Sequence, residues 1–209
     1  MIRPTAVVLD LGNVLVRWDP HAAIAAGVGD AEAAAFLATD EVDFLAYNHR
    51  QDSGDTWAQG EAWLAEHHPR WLEHGRAYRE HFWRSVATLV PGTAEVLRDL
   101  AAAGVPTYAL TNWSAEFWPE AGRLHEEIAL FRDVVVSGEV GVAKPDHTVY
   151  RLSAERFGHA PEELYFTDDS PRNVEAARAC GWDAEVFTDA PTLRAQLERR
   201  GLLSGPDTP

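Results

Sequence analysis

The chain has 209 residues, 46% of them hydrophobic and 24% charged, which is the composition of an ordinary globular protein. This length allows one substantial domain, or one domain that carries a smaller insertion. The formal net charge of -15 argues against a nucleic-acid partner, because binding nucleic acid requires clustered positive charge.

The single cysteine, Cys180, cannot form an internal disulfide, so a reducing compartment is expected. The first apolar run, Ala6 to Leu9, is too short for a signal sequence, and no stretch approaches the roughly 18 apolar residues of a membrane span. These features predict a cytoplasmic protein without a membrane partner.

Short apolar runs rich in β-branched residues alternate with helical patterns along the chain. Most runs are continuous rather than alternating, as expected for parallel strands buried on both faces. We therefore predict an α/β fold with a doubly wound, Rossmann-like parallel sheet. The predicted strands are 6–11, 106–110, 133–136, 164–167 and 184–187, and the helices between them are 93–103, 114–129, 146–157, 171–180 and 192–200.

Residues 18–88 interrupt this alternation, since they contain helical patterns (30–39, 56–67 and 75–85) but no convincing strand. We predict that they form an inserted helical subdomain. The α/β core is then formed by residues 1–17 and 89–209.

Polar residues end three of the predicted strands, and in a parallel sheet such ends meet at one edge, where ligands bind. Asp10 lies at the end of the first strand, Thr111-Asn112 at the end of the second, and Asp168-Asp169 at the end of the fourth. Each has an alternative explanation: Asp10 precedes Gly12-Asn13, which favours a turn, and Thr111-Asn112 suits a helix cap.

Asp168 and Asp169 are harder to explain as structural residues, because Ser170-Pro171 already supplies an N-cap and a first-turn proline. Two carboxylates about 4 Å apart repel each other by about 4 kcal/mol at an effective dielectric near 20. A divalent cation relieves that repulsion, and Mg²⁺ suits carboxylate ligands combined with substrate oxygens.

Lys144 is the only lysine among the 18 basic side chains, and it lies just before a predicted helix. The helix dipole disfavours a cation at that end. An anion held between the lysine and the helix would reverse this effect.

In their order along the chain, Asp10, Thr111, Lys144 and Asp168-Asp169 resemble the four sequence motifs of the haloacid dehalogenase (HAD) superfamily. The resemblance extends from Ala6 to about Phe187, and the insertion lies where that superfamily has its helical type 1 cap. Two phrases, Asp10-Leu-Gly-Asn-Val and Phe117-Trp-Pro-Glu120, resemble the subgroup of bacterial glucose-1-phosphate phosphatases.

The resemblance implies a role for each matching position. Asp10 would attack phosphorus and form an aspartyl-phosphate, while Lys144 would neutralise charge on the transferring group. Thr111 and the backbone amide of Asn112 would hydrogen-bond the phosphoryl oxygens.

The same resemblance implies a Mg²⁺ cofactor. Asp10, Asp169 and the carbonyl of Gly12 would bind it directly, and Asp168 would act mainly through a water. Asn173, four residues after Asp169, would steady the waters around the metal.

Gly12 departs from the pattern, because most phosphatases of the superfamily have a second aspartate there as general acid and base. Loss of such a group costs about a hundred- to ten-thousand-fold in rate. Either the leaving group is good, as an anomeric hydroxyl is, or a cap residue substitutes, for which His49 and Asp52 are candidates. The glucose-1-phosphate phosphatase subgroup also has glycine at this position.

Several related proteins offer alternatives. Haloacid dehalogenases use the same nucleophile on carbon without a metal, but they replace the acids of the fourth motif, which this chain retains. Phosphonoacetaldehyde hydrolases need a second lysine, which this chain lacks. Response-regulator receivers use similar residues but have the acidic pair on the first strand, and a non-catalytic phosphometabolite-binding protein remains open.

The insertion is rich in aromatic residues and histidine, including Trp57, Trp63, Trp71 and Trp83. No histidine or cysteine spacing typical of a zinc site accompanies them. With Trp113 at the cleft entrance, they predict a small phosphorylated metabolite, such as a sugar phosphate, as substrate. We expect a monomer or homodimer.

Overall fold

The computed structural model describes residues 3–204, which form an α/β fold. The strands are β1 (Ala6–Leu9), β2 (Thr107–Thr111), β3 (Val134–Val136), β4 (Leu164–Asp168) and β5 (Asp183–Val186). They pair in parallel in the order β3-β2-β1-β4-β5, so that β1 is central. The predicted doubly wound parallel sheet is confirmed.

The α-helices of the described range fall into two groups. Six follow β1 within residues 20–85, with no strand among them: α1 (Pro20–Val28), α2 (Asp30–Ala38), α3 (Phe44–Asp52), α4 (Trp57–His67), α5 (Leu72–Glu80) and α6 (Phe82–Ser85). The others alternate with the strands: α7 (Thr93–Ala102), α8 (Trp118–Leu124), α9 (Ser137–Val140), α10 (His147–Phe157), α11 (Pro171–Ala179) and α12 (Ala190–Arg200). Short 3₁₀ turns span Pro69–Trp71, Glu126–Leu130 and Pro161–Glu163.

The side chains of β1 divide between the two faces of the sheet, because successive residues of a strand point in opposite directions. Ala6 and Val8 belong to one buried apolar cluster, and Val7 and Leu9 belong to another. The second cluster continues into the insertion through residues such as Trp57. The sheet and the inserted helices therefore share a hydrophobic core.

The insertion packs on the segment that follows β2. The Phe82 ring stacks on Phe117 at 4.6 Å between centroids, and Trp57 lies 5.5 Å from the same ring. The Glu116 carboxylate accepts the backbone N–H of Trp57 at 2.8 Å, at the start of α4. The Phe117-Trp-Pro-Glu120 phrase thus contributes to the contact between core and insertion.

Two predicted elements are shorter in the structure, each for a local reason. β1 ends at Leu9 rather than Leu11, since the carbonyl of Leu11 accepts the N–H groups of Leu15 and Val16 in a turn. The predicted helix 114–129 is limited to α8 and a 3₁₀ turn. Between them the buried His125 is extended, and its ring nitrogen contacts the carbonyl of Val86 at 2.7 Å.

Two helices of the insertion were absent from the sequence-based prediction, although each has a recognisable start. Asp19 precedes Pro20 and caps α1, and Asp43 caps α3 by accepting the N–H of Ala46. Within the described range, no helix combines the length and apolarity needed to span a bilayer.

Candidate functional site

The ends of β1 and β4 place two aspartates side by side at the carboxyl edge of the sheet. Asp10 follows β1, and its backbone N–H donates to the carbonyl of Thr167 at 3.0 Å, one residue before Asp168. The chain crosses from one side of β1 to the other between β3 and β4, which makes this pair a topological switch point. Open parallel sheets bind their ligands at such points.

Lys144 joins the two aspartates. Its Nζ lies 2.8 Å from Oδ1 of Asp10 and 2.6 Å from Oδ2 of Asp168, and it donates to the carbonyl of Leu110 at 2.9 Å. The ammonium is buried and has three oxygen partners, so its position is fixed. We refer to Asp10, Lys144, Asp168 and Asp169 as the strand-edge cluster.

The side chain of Asn112 fixes the backbone on which Lys144 lies. Its Oδ1 accepts the N–H of Lys144 at 2.8 Å, and its Nδ2 donates to the carbonyl of the same residue at 3.0 Å. This paired contact, which the sequence did not reveal, connects the end of β2 to the loop before α10. Thr111 is buried at the end of β2 and is not among the described residues that line the cavity.

Asp168 has a structural task, contrary to the argument that the Ser170 cap leaves it without one. Its Oδ1 accepts the N–H of Ser170 at 2.9 Å, and the Asn173 amide lies 3.0 Å from both carboxylate oxygens. Ser170 itself makes no side-chain cap. With Lys144 on Oδ2, the carboxylate is fully engaged, and Asn173 contacts Asp168. The water-mediated metal contact of Asp168, and the effect of Asn173 on waters around the metal, stay predictions.

Asp169 faces the solvent side of the cluster and is held by Asn13. The Nδ2 of Asn13 donates to Oδ2 of Asp169 at 3.1 Å, across 156 residues of sequence. Asn13 has a φ of 54°, in the left-handed region that asparagine tolerates better than most residues. The backbone of the turn after β1 therefore favours this residue type, and the side chain donates to Asp169.

The cluster concentrates negative charge in a small space. Ligand oxygens of Asp10, Asp168 and Asp169 all lie within 4.8 Å of one another. Burial raises the pKa of Asp10 above its usual range, and Lys144 opposes that shift. Burial lowers the pKa of Lys144, but the charges of Asp10 and Asp168 outweigh this and leave the pKa raised, so the ammonium stays charged.

A cavity of about 680 Å³ opens over the cluster, between the sheet edge and the insertion. This volume lies within the range of small-molecule sites, roughly 300–1,000 Å³. Its floor includes Asp10, Gly12, Lys144 and Asp169. Its walls are rich in aromatic and apolar side chains: Trp18, Leu45, Trp57, Tyr78, Phe82, Val86 and Trp113.

Helix α3 presents one face to this cavity. Leu45, Asn48, His49 and Asp52 all line it, and their spacing of i, i+3, i+4 and i+7 places them on the same side of a helix. The structure thus brings the predicted substrate residues His49, Asp52 and Trp113 to the same cavity as the cluster. The spacing was visible in the sequence, but this helix was not predicted.

A series of hydrogen bonds fixes Asp52 on this face. The Trp18 indole N–H donates to the Tyr78 hydroxyl at 3.1 Å, and that hydroxyl donates to Oδ1 of Asn48 at 3.1 Å. The Asn48 amide then donates to Oδ2 of Asp52 at 2.9 Å. None of these supporting contacts was predicted, because the series joins residues from three separate segments of the chain.

Gly12 lies on the cavity floor beside Asp10, and space is open there. A Cβ atom added at Gly12 would meet no heavy atom within 4 Å, and its φ is not positive. The backbone therefore does not require glycine at this position.

A model of the haloacid dehalogenase-like hydrolase family matches residues 4–181. Among curated proteins, a sesquiterpene phosphatase of Aspergillus oryzae is 27% identical over 95% of this chain and 96% of its own length. The phosphoserine phosphatase of Thermus thermophilus is 34% identical over 52% of this chain, and the match spans only 45% of that enzyme.

Two solved structures share the fold over nearly their full length. A HAD family hydrolase of Deinococcus radiodurans, with bound phosphate and sodium, is 25% identical with a TM-score of 0.68, covering 98% of this chain and 99% of that one. A HAD family enzyme of Bacteroides thetaiotaomicron, in complex with magnesium and inorganic phosphate, has a TM-score of 0.68 at 18% identity, over 89% of this chain and 95% of that one.

Proposed function

The chain belongs to the haloacid dehalogenase-like hydrolase family, and we propose that it is a Mg²⁺-dependent phosphatase of small phosphate monoesters. One observation carries the proposal: the carboxylate of Asp10 lies 2.8 Å from a buried ammonium, beside a retained acidic pair and beneath an open cavity. A nucleophile, a fixed cation and candidate metal ligands are thereby assembled in one place. The full-length fungal relative, named a phosphatase, supports the same chemistry.

The chain's own residues account for the first half of the reaction. Asp10 attacks phosphorus, a bond forms between its carboxylate oxygen and phosphorus, and the ester bond to the leaving oxygen breaks. Lys144, fixed by Asp168, neutralises charge that develops on the transferring group. In this proposal the backbone amide of Asn112 hydrogen-bonds the phosphoryl oxygens, whereas the same role for Thr111, which does not line the cavity, stays a prediction.

The donor set suits Mg²⁺. Oδ2 of Asp10 accepts no hydrogen bond from the described side chains or backbone, and Asp169 lies on the exposed side of the cluster. These two carboxylates and the carbonyl of Gly12 are the ligands we propose, while Asp168 is already engaged. Hard oxygen donors are what Mg²⁺ prefers, and the bound ion would supply charge neutralisation and polarise phosphoryl oxygens.

The aromatic wall supports a substrate with an organic part small enough for about 680 Å³. A sugar phosphate remains the finer prediction, because aromatic side chains such as Trp18 line the cavity and aromatic rings pack well on the C–H face of a sugar. The name of the fungal relative adds sesquiterpene phosphates, which would use the same apolar wall. His49 and Asp52 would contact the substrate from α3. The glucose-1-phosphate phosphatase subgroup stays a prediction.

A phosphate-release screen tests the proposal. Sugar phosphates, isoprenoid monophosphates and aryl phosphates are assayed with Mg²⁺ and with EDTA, beside a halide-release assay on 2-haloacids. We expect phosphate release that EDTA abolishes and Asp10→Asn eliminates. Halide release that persists in EDTA would instead establish a dehalogenase.

The same screen separates catalysis from binding alone. If phosphate binds and raises the unfolding temperature but no ester is hydrolysed, the protein is a phosphometabolite-binding protein. Turnover that depends on Asp10 contradicts that alternative.

A further inference from the structure

The leaving oxygen of a phosphate ester needs a proton, and the strand-edge cluster has no side chain placed to supply it. Asp10 is the nucleophile in the proposed function, Lys144 is held by two carboxylates, and Gly12 carries no side chain. An alkoxide is a poor leaving group unless it is protonated as it departs, so general acid catalysis typically contributes about 10²–10⁴-fold. A proton donor can instead come from the insertion, which forms the other side of the cavity.

Within the described lining, two carboxylates outside the cluster face the cavity, Asp43 and Asp52. Asp43 is committed to capping α3, where its Oδ1 accepts the N–H of Ala46 at 3.0 Å. His49 also lines the cavity, but its side chain is exposed and its ring contacts the Ser53 hydroxyl at 3.4 Å. Asp52 is half-buried and accepts one hydrogen bond, from the Asn48 amide at 2.9 Å.

The hydrogen bonds that hold Asp52 extend back to the strand-edge cluster. The amide of Asn13, which binds Asp169, also accepts the backbone N–H of Trp18 through its Oδ1 at 3.0 Å. The indole of Trp18 begins the series through Tyr78 and Asn48 that ends on Oδ2 of Asp52. The position of Asp52 is therefore fixed relative to Asp169, although the two residues lie on different subdomains.

The second oxygen of Asp52 is left to the cavity. Its Oδ1 accepts no hydrogen bond from the described residues, whereas Oδ2 is occupied by Asn48. Burial raises the pKa of Asp52 to about 7, while Lys144 and the Asn48 amide lower it. A carboxyl that holds a proton near neutral pH is suited to act first as an acid and then as a base.

We propose that Asp52, supplied by the insertion, is the general acid and base of the reaction and takes the place of the side chain that Gly12 lacks. This inference rests on the proposed phosphatase function. In the first step Asp10 bonds to phosphorus, the ester P–O bond breaks, and the Asp52 carboxyl gives its proton to the departing oxygen to release an alcohol. In the second step the Asp52 carboxylate takes a proton from water, whose oxygen bonds to phosphorus as the bond to Asp10 breaks and inorganic phosphate leaves.

The dependence of the Asp52→Asn variant on the leaving group tests the first step. Alkyl phosphates need protonation of the leaving oxygen, so we expect their turnover to fall about 10²–10⁴-fold. Formation of the phosphorylated enzyme from an aryl phosphate needs little protonation and should change less than tenfold, measured by the pre-steady-state release of the phenol. Asp55→Asn is the matched control, since it makes the same charge change in the adjacent loop, where Asp55 pairs with Arg50 at 2.7 Å.

Intact-protein mass spectrometry tests the second step without relying on turnover. With an aryl phosphate, Asp52→Asn should accumulate protein heavier by one phosphoryl group, because water is no longer deprotonated. Wild type should show little of this species, and the double variant with Asp10→Asn none. Asp52→Ser, which keeps an acceptor for Asn48, serves the same purpose if Asp52→Asn fails to fold.

A second substitution, at Gly12 in the core, provides a control for the role of Asp52. Because a Cβ at Gly12 meets nothing within 4 Å, Gly12→Asp in the Asp52→Asn background should restore alkyl phosphate turnover at least tenfold, while Gly12→Asn should not. Equal losses on alkyl and aryl substrates, with no phosphorylated enzyme, would overturn the role of Asp52. Failure of the proposed function looks different: wild type itself would release no phosphate and form no phosphorylated Asp10, which also removes the basis for Asp52.

Discussion

The two walls of the cavity are built in different ways. On the sheet side, the strand-edge cluster holds one ammonium between two carboxylates at 2.6 and 2.8 Å, and the buried charges face one another directly. On the insertion side, aromatic rings pack around neutral hydrogen bonds of 2.9–3.1 Å, and Asp52 is the carboxylate at their end.

The difference shows how one site divides its tasks. The sheet fixes charges because parallel strands end at the same edge, so Asp10 and Asp168 lie side by side there and Lys144 contacts both. The insertion offers apolar surface and one carboxyl whose proton affinity is raised by burial. In the proposed function the first wall transfers the phosphoryl group, and the second selects the organic part and moves the proton.

Removal of the nucleophile should have the largest effect. Asp10→Asn should reduce phosphate release by at least about a thousandfold, since no covalent intermediate can form. The fold should survive because Lys144 keeps its contact with Asp168. Phosphate release and thermal unfolding measure both; a folded variant that retains more than a few per cent of activity would show that the sheet wall does not supply the nucleophile.

Removal of the Lys144 ammonium should destabilise the protein more than removal of an exposed positive charge. Lys144→Met leaves Asp10 and Asp168 together without a counter-charge, so urea unfolding should show a loss of about 3–5 kcal/mol. Arg156→Met removes an exposed pair with Asp133, and its loss should stay within about 1 kcal/mol. Similar losses for the two variants would contradict the importance we assign to the cluster.

Addition of Mg²⁺ should stabilise the folded protein by binding at the strand-edge cluster. At a hundred times its dissociation constant, the ion should stabilise the protein by about 2.7 kcal/mol, or roughly 5–10 °C in Tm for a chain of this size. Asp169→Asn should lose most of this shift, whereas Asp55→Asn should keep it. An unchanged Tm with Mg²⁺ in wild type would argue that Asp10 and Asp169 do not share an ion.

The pH dependence of the unfolding free energy should reveal the raised pKa of Asp52 in the insertion. The pKa of Asp52 is raised to about 7 in the folded protein from the ordinary value of 3.8. Between about pH 4 and about pH 7 the folded protein therefore keeps a proton on Asp52 that the unfolded chain has lost. The free energy of unfolding in EDTA should therefore fall as pH rises from about 4 to about 7, and less steeply in Asp52→Asn. Urea titrations across this window measure it, and identical slopes would contradict the shift.

The smallest expected effect is at the hydroxyl of Tyr78. Tyr78→Phe removes the link between Trp18 and Asn48, which should cost about 1 kcal/mol in unfolding free energy. Turnover of alkyl phosphates should fall, but by less than in Asp52→Asn, because Asn48 can still contact Asp52. A loss as large as that of Asp52→Asn would mean that Tyr78 acts on the substrate itself.

Much of the sheet wall was predictable because its signals are local. Asp10 directly follows the apolar run Ala6 to Leu9, and Asp168-Asp169 directly follow the run Leu164 to Thr167. Each strand and its site residues could therefore be predicted together. The prediction was wrong that Asp168 has no structural role, which had been inferred because Ser170 was expected to cap the helix. In the structure the carboxylate of Asp168 accepts the very N–H of Ser170.

The insertion wall was predictable only as a helical region. Its α3 helix was missed, although Asp43 marks its start and the i, i+3, i+4, i+7 spacing marks the face with Asp52. Aromatic residues and histidine are abundant there, and their pattern alone does not distinguish core from cavity. His125 likewise broke a predicted helix through a contact with the distant Val86.

The sequence by itself determined the parallel sheet and the residue types of the strand-edge cluster, because hydrophobic runs and adjacent polar residues are properties of short segments. Only the tertiary structure decided which side chains support them. The bond from Asn13 to Asp169 lies within the core and spans 156 residues, and the bond from Trp18 to Tyr78 lies within the insertion and spans 60 residues, so both form only after distant segments of each region have packed together. Packing of those two regions is what brings Asp52 to the cavity above Asp10.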